Sequence, residues 1–177
     1  MELTEKIQST QRIYDGRVIN LRIDDIILPD GSKGKREIIE HNGGVGVIGV
    51  TDNREVYMVT QYRTAAQSTM LEIPAGKLEK GEDPLECGKR ELIEETGYKG
   101  NEFIYLGSYY ATPGYCQEKL HIYLAKGLEW VGQNLDEGEF LNVQKYTLDE
   151  LYEMVMNNEI IDCKTAIAIL KAKAILG

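Results

Sequence analysis

Residues 75–98 read AGKLEKGEDPLECGKRELIEETGY, and no other stretch constrains the fold as much. Asp83 is a strong N-cap, Pro84 suits the first helical position, and Gly97 suits the left-handed residue that ends a helix. The spacing therefore predicts a helix over 84–96. Leu85, Gly88 and Leu92 fall on one side of it, with Ile93 at the border, and supply a face to bury. A glycine at mid-helix costs about 1 kcal/mol relative to alanine, and close packing on a sheet is what offsets that cost at Gly88. The glycines of AGKLEKGE make the preceding stretch a loop that leads from strand to helix.

The segments on either side read mainly as strands. RVINLRIDDIIL alternates apolar and polar residues, PDGSKGK is a turn, and REIIEH is a second strand, so the N-terminal piece is predicted to be a hairpin-like sheet of its own. GGVGVIGV and EVYMVTQY flank TDNR and predict another hairpin. TMLEIP is a short strand stopped by Pro74, and FIYLGSYY and LHIYLA are two more, joined by ATPGYCQEK. Thr147 and Glu150 have capping-box spacing before LYEMVM, and Asp162 is placed to cap CKTAIAILKAKAIL. Strands, loop and helix, strands, then helices imply an α/β chain. Its mixed sheet is sandwiched by helices, with a smaller antiparallel N-terminal sheet attached. The expected division is residues 1–42 for the small sheet and 43–177 for the main domain.

A chain of 177 residues with 42% hydrophobic content fills one well-packed domain and a small extra layer. A net charge of −9 excludes nucleic acid and anionic membranes as partners of the general surface, so a polyanionic substrate would need a local cationic device. No segment approaches the ~20 apolar residues of a membrane span. MELTEKIQST lacks the basic start and apolar run of a signal peptide. Cys87, Cys116 and Cys163 are odd in number and in no metal-ligand spacing, which fits reduced thiols in the cytoplasm. Cys87 and Cys163 are expected to be small, mostly buried residues. Cys116 lies in a loop with functional potential.

The end of the predicted helix is electrostatically costly. Glu91, Glu94 and Glu95 share about one turn, where like charges repel. They also sit at the end of the helix dipole that disfavours anions. Arg90 is four residues before Glu94 and can pair with it, whereas Glu91 and Glu95 have no such partner in the helix. A solvated acidic face is the ordinary meaning of a charge run. Here a divalent cation would relieve both costs, since hard ions take carboxylate and carbonyl oxygens and bind substrate phosphates.

The segment resembles the Nudix box, G-x5-E-x7-R-E-U-x-E-E-x-G-U with U a bulky apolar residue. Gly76, Glu82, Arg90, Glu91, Leu92, Glu94, Glu95 and Gly97 match it, and the last position holds the aromatic Tyr98. The resemblance implies the Nudix α/β/α sandwich and metal-dependent hydrolysis of a nucleoside diphosphate linked to another group. It implies Mg²⁺, with Mn²⁺ as a substitute, held by Glu91 and Glu95. Glu94 would stand close by, Glu82 would be a further ligand or support, and the Ala75 carbonyl would join the shell. Arg90 is implied to orient the carboxylates.

Outside the box the chain is similar to the ADP-ribose pyrophosphatase subfamily. Pro113 lies 16 residues after Gly97, in the loop TPGYCQEK, and REIIE, TQYRTAA and NLDEGEFLNV add to the likeness. That resemblance implies hydrolysis of ADP-ribose to AMP and ribose 5-phosphate in a homodimer that exchanges its N-terminal sheets. It implies that Arg63 grips the substrate phosphates, that Arg36 and Glu37 reach the partner's substrate, and that Gly114 and Glu118 lie in a substrate loop. Glu137 or Glu139 would activate water, with the other at the metal. GDP-mannose, a dinucleotide, or a nucleotide-sensing role without catalysis are the rival readings.

Overall fold

The computed structural model describes residues 2–177. Its chain forms two compact units. One is the chain up to Gly43 with Tyr110–Lys119, and the other is Gly44–Tyr109 with Leu120–Gly177.

In the first unit β1 (Lys6–Asp15), β2 (Asn20–Ile27) and β3 (Lys33–Glu40) form an antiparallel sheet in that order. β2 and β3 make the hairpin that the sequence predicts, in register from Asn20↔Glu40 to Ile27↔Lys33. Gly31 adopts φ 85° in its turn, while Asp30 accepts from the Ser32 N–H at 2.9 Å. β1 is an addition to that hairpin. Its residues are exposed along their whole length, so the strand carries no burial pattern in its sequence. What makes it a strand is its pairing with β2. The loop 110–119 joins the open edge of β3, where the Ile39 N–H donates to Tyr115 O at 2.7 Å and the Gln117 N–H to Ile39 O at 2.9 Å.

The second unit begins with β4 (Gly44–Gly49), β5 (Glu55–Arg63), β6 (Ser68–Glu72) and β7 (Ala75–Lys77). It continues with α1 (Pro84–Thr96), β8 (Tyr98–Lys99), β9 (Glu102–Tyr110), β10 (Lys119–Lys126) and β11 (Glu129–Trp130). β12 (Leu141–Thr147), α2 (Leu148–Met156) and α3 (Cys163–Leu176) close the chain. The main sheet has the order β7-β4-β10-β9, with β4 parallel to β10 and antiparallel to β7. A second sheet runs β12-β5-β6. β4 and β5 do not form the predicted hairpin. They meet at the bridge Val50↔Val56 and then separate, because β4 takes β7 and β10 as neighbours while β5 takes β6 and β12.

Every residue of β4 is buried, as befits a strand covered on both faces. Strand alternation then divides the core. Val45 and Val47 join Cys87 and Leu92 of α1, with Leu78 and Ala125, in one cluster. Ile48 joins Ile73, Ile122, Leu151, Ile169 and others on the side of α2 and α3. This is the α/β sandwich that the residue pattern implies. Gly88 lets α1 approach, since a Cβ there would lie 2.9 Å from Val47 Cγ2 and 3.1 Å from Val45 Cγ2. Cys163 departs from expectation. As the first residue of α3, just after its cap, it is exposed rather than buried.

Candidate active site

α1 is the scaffold of the site, and local chemistry sets both its ends. Asp83 accepts from the N–H groups of Leu85 at 2.9 Å and Glu86 at 3.1 Å, and Pro84 follows it. Gly97 has φ 79° and donates its N–H to Ile93 O at 2.8 Å. The last turn contains no basic residue. Its carbonyls are met instead by the segment after β11, where Gln133 Nε2 donates to Glu95 O at 2.6 Å and the Asn134 N–H to Glu94 O at 3.2 Å.

Two box carboxylates are held against β7. Glu95 is only 3% exposed, and its Oε2 accepts from the Ala75 N–H at 3.0 Å. Glu91 fills the space that Gly76 leaves, for a Cβ on Gly76 would overlap the Glu91 carboxylate. This is a physical reason for the glycine that opens the box. Burial pushes the Glu95 carboxyl up to about 8. The charges of Glu91 and Glu139 add to the rise, while the Ala75 N–H and Arg63 oppose it. Burial likewise raises Glu91, against the pull of Arg90. Arg90 does more than pair with Glu94. Its Nη1 lies 2.8 Å from Glu94 Oε2 and 2.9 Å from Glu91 Oε1, so Glu91 has a neighbouring cation that helical spacing did not reveal. Its Nη2 lies 3.4 Å from Glu82 Oε1.

Among the described residues, no group of three or more His, Cys, Asp and Glu side chains is already gathered to hold a metal ion. Glu82 does not complete such a group, since its oxygens serve Arg90 and the Glu79 N–H, the latter at 2.9 Å. What β7 and α1 do bring together is Glu91, Glu95 and the backbone of Ala75. The two carboxylates are hard oxygen donors in a largely buried, net anionic setting, and they fit a divalent cation. Glu137 and Glu139 are both exposed in the loop before β12. Glu139 is the one whose charge acts on Glu91 and Glu95.

Arg63 at the end of β5 also acts electrostatically on Glu95. It makes a two-point pair with Glu72 of β6, Nε to Oε1 at 2.7 Å and Nη2 to Oε2 at 2.7 Å. Glu72 is 1% exposed and also bonds Lys164 of α3. Glu72 and Lys164 are polar residues that the sequence reading did not single out. The signal was present, a carboxylate inside the apolar strand TMLEIP and a lysine inside an apolar helix face.

The remaining candidates belong to the first unit. Arg36 pairs with Glu5, with Nε 3.1 Å from Glu5 Oε2, and Glu37 beside it on β3 is exposed. Glu118 lies 3.6 Å from His41 Nδ1, and its N–H donates to Cys116 Sγ at 3.4 Å, which places Cys116 inside the loop's own turn. A Cβ on Gly114 would meet nothing within 4 Å, so packing does not demand a glycine there.

Comparison with known proteins gives a consistent result. The family described as "NUDIX domain" matches residues 40–162, and "Nucleoside diphosphate sugar hydrolase N-terminal domain" matches residues 5–39. The chain is 45% identical to "Methanol dehydrogenase activator" of Bacillus methanolicus, over 93% of this chain and 90% of that protein. It is 43% identical to "ADP-ribose pyrophosphatase" of Bacillus subtilis (strain 168), over 94% and 91%. A solved structure described as "Crystal structure of ADP compounds hydrolase" superposes with a TM-score of 0.86 at 20% identity, covering 99% of this chain and 96% of that one.

Proposed function

Because this chain belongs to the Nudix family, whose domain spans residues 40–162, we propose that it hydrolyses the pyrophosphate bond of ADP-ribose to AMP and ribose 5-phosphate. The observation that carries this reading is the pair Glu91 and Glu95, largely buried beside Ala75 and Gly76 with more negative charge than Arg90 offsets. The similarity to the Bacillus subtilis "ADP-ribose pyrophosphatase" supports the choice of substrate.

Glu91, Glu95 and the backbone of Ala75 would hold Mg²⁺, or Mn²⁺ in its place. The cation supplies Lewis-acid activation of the pyrophosphate and of the attacking water. Arg90 keeps Glu91 and Glu94 in fixed positions. Arg63 uses Nε and Nη2 on Glu72 and leaves Nη1 outside that pair for a phosphoryl oxygen, where charge develops in the transition state. Water attacks phosphorus, the bridging P–O bond breaks, and Glu139 takes the water's proton. The assignment favours Glu139 over Glu137 because Glu139 is close enough to act on both box carboxylates.

Residues 1–42 would serve dimerisation and substrate contact, with the sheets exchanged in a homodimer and Arg36 and Glu37 serving the partner's site. The exposed Ile7, Ile13 and Tyr14 on β1 support a partner for this strand. Gly114 and Glu118 would line the substrate loop. Three free thiols suit a cytoplasmic enzyme, and no helix of the described chain is long and apolar enough to cross a membrane.

The test is AMP release from ADP-ribose by the purified protein in Mg²⁺ and in EDTA, beside GDP-mannose, NADH and diadenosine polyphosphates. Fast, EDTA-sensitive turnover with ADP-ribose preferred is expected. Preference for another member of the set moves the substrate assignment. Turnover unaffected by EDTA removes the metal from the reaction.

A further inference from the structure

Lys164 is in an unusual place for a lysine. It lies in the first turn of α3, where a cation opposes the helix dipole, and it is only 8% exposed. A buried ammonium is tolerated when it is paired, and here it has two partners. Nζ lies 2.9 Å from Asp162 Oδ2 and also bonds Glu72 Oε2. Asp162 is itself tied down, accepting from the Thr165 N–H at 3.0 Å and from Thr165 Oγ1 at 2.5 Å. Thr165 Oγ1 in turn accepts from the Ile73 N–H at 2.9 Å, next along the chain from Glu72. The first turn of α3 therefore locks both the backbone and the carboxylate at the end of β6.

The chain of contacts runs from inside to outside. Lys164 and Glu72 are buried, and the Arg63 side chain is 40% exposed. Glu72 Oε2 is shared between Lys164 Nζ and Arg63 Nη2. A fork fixes carboxylate and guanidinium relative to each other but lets the pair swing together, whereas a second donor from another element anchors the carboxylate and with it the guanidinium. Charge points the same way. Arg63 and Lys164 balance Glu72 and Asp162, so Arg63 is not neutralised by Glu72 alone. Without Lys164 the group would carry a net negative charge next to Glu95 and would repel a diphosphate. Removing Lys164 alone also leaves the buried Glu72 carboxylate short of a cation and costs stability, so a test of positioning needs a readout that a loss of stability would not move.

We propose that Lys164 is a positioning residue which, through Glu72, fixes the Arg63 guanidinium so that one edge is committed to Glu72 and the other is presented to a substrate phosphoryl oxygen. The proposal rests on the functional reading above for the role of Arg63.

The test is a double-mutant cycle with Lys164→Met and Arg63→Ala, read in kcat/KM for ADP-ribose with Mg²⁺. Lys164→Met should lower kcat/KM by about tenfold or more in the wild-type background and by less than about twofold once Arg63 is gone. Lys164→Arg, which keeps the cation, should recover most of the loss. An equal cost in both backgrounds, or no cost in the first, overturns the proposal. Should Lys164→Met not fold, Lys164→Gln takes its place in the cycle, with the same outcomes.

A second readout does not depend on the substrate. The ¹⁵N–¹H resonance of Arg63 Nε, identified by its loss in Arg63→Ala, should shift and broaden in Lys164→Met. An unchanged resonance overturns the proposal even if ADP-ribose proves to be the wrong substrate. Absence of turnover in the wild type counts against the functional reading alone.

Discussion

Glu95 concentrates the site's electrostatics in one side chain. In the cation-free protein its carboxyl is pushed up to about 8, first by burial and then by Glu91 and Glu139. The unfolded chain ionises this group near the ordinary carboxylate value of 4.5. The folded value is the raised one, so the stabilising contribution is complete below that ordinary value. It declines as pH rises through the window and is gone above about 8. Glu95→Gln keeps an acceptor for the Ala75 N–H and removes the titration. In EDTA its Tm should therefore vary less than that of the wild type between about pH 5 and pH 8. The same substitution should lower Mg²⁺-dependent turnover by ~100-fold or more, in the AMP-release assay, while circular dichroism stays that of the folded protein. The electrostatic cost of Glu91 and Glu95 was legible locally, in helical spacing and the helix dipole, while the metal-binding role expected of them came from the resemblance to the Nudix box. The partnership of Glu72 and Lys164 was not legible, although each stands out as a charge in an apolar segment, since they are 92 residues apart and acquire their roles from each other.

At the scale of elements, α1 shows two energies in opposition at Gly88. An alanine there would gain about 1 kcal/mol of helix propensity. Its Cβ would press on Val47 and Val45, at 2.9 Å and 3.1 Å from their Cγ2 atoms. Overpacking of a tight interface costs roughly 1–3 kcal/mol, so packing wins. Gly88→Ala should lower stability by about 1 kcal/mol, a drop of ~2–4 °C in a thermal melt for a chain of this size. A higher Tm would mean that helix and sheet have room to spare. α1 was readable to its last residue because Asp83, Pro84 and Gly97 encode its ends chemically. The capping box of Thr147 and Glu150 did the same for α2. β1 was not readable, because an exposed strand has no side-chain alternation to betray it. The β4–β5 hairpin was misread for a related reason. Turn residues report that the chain reverses, and they are silent about which neighbours each strand then takes.

For the whole molecule, the exposed Ile7 (57%), Ile13 (46%) and Tyr14 (56%) lie on a strand that has no protein neighbour on its outer edge among the described residues. Sedimentation velocity should give the mass of two chains. Ile13→Asp should shift the distribution toward single chains and lower turnover, as expected if Arg36 and Glu37 serve the partner's site. A monomeric wild type with full activity would remove the exchanged-sheet arrangement. The second unit carries its own asymmetry. The cluster that seats α1 contains six buried residues, and the cluster under α2 and α3 contains fourteen. Local opening follows the weaker side, so amide protons of α1 should exchange with solvent sooner than those of α3. If Glu91 and Glu95 hold a cation as proposed, α1 is then the part of this unit with most to gain from it, and the exchange rate of α1 becomes a gauge of whether a cation is bound.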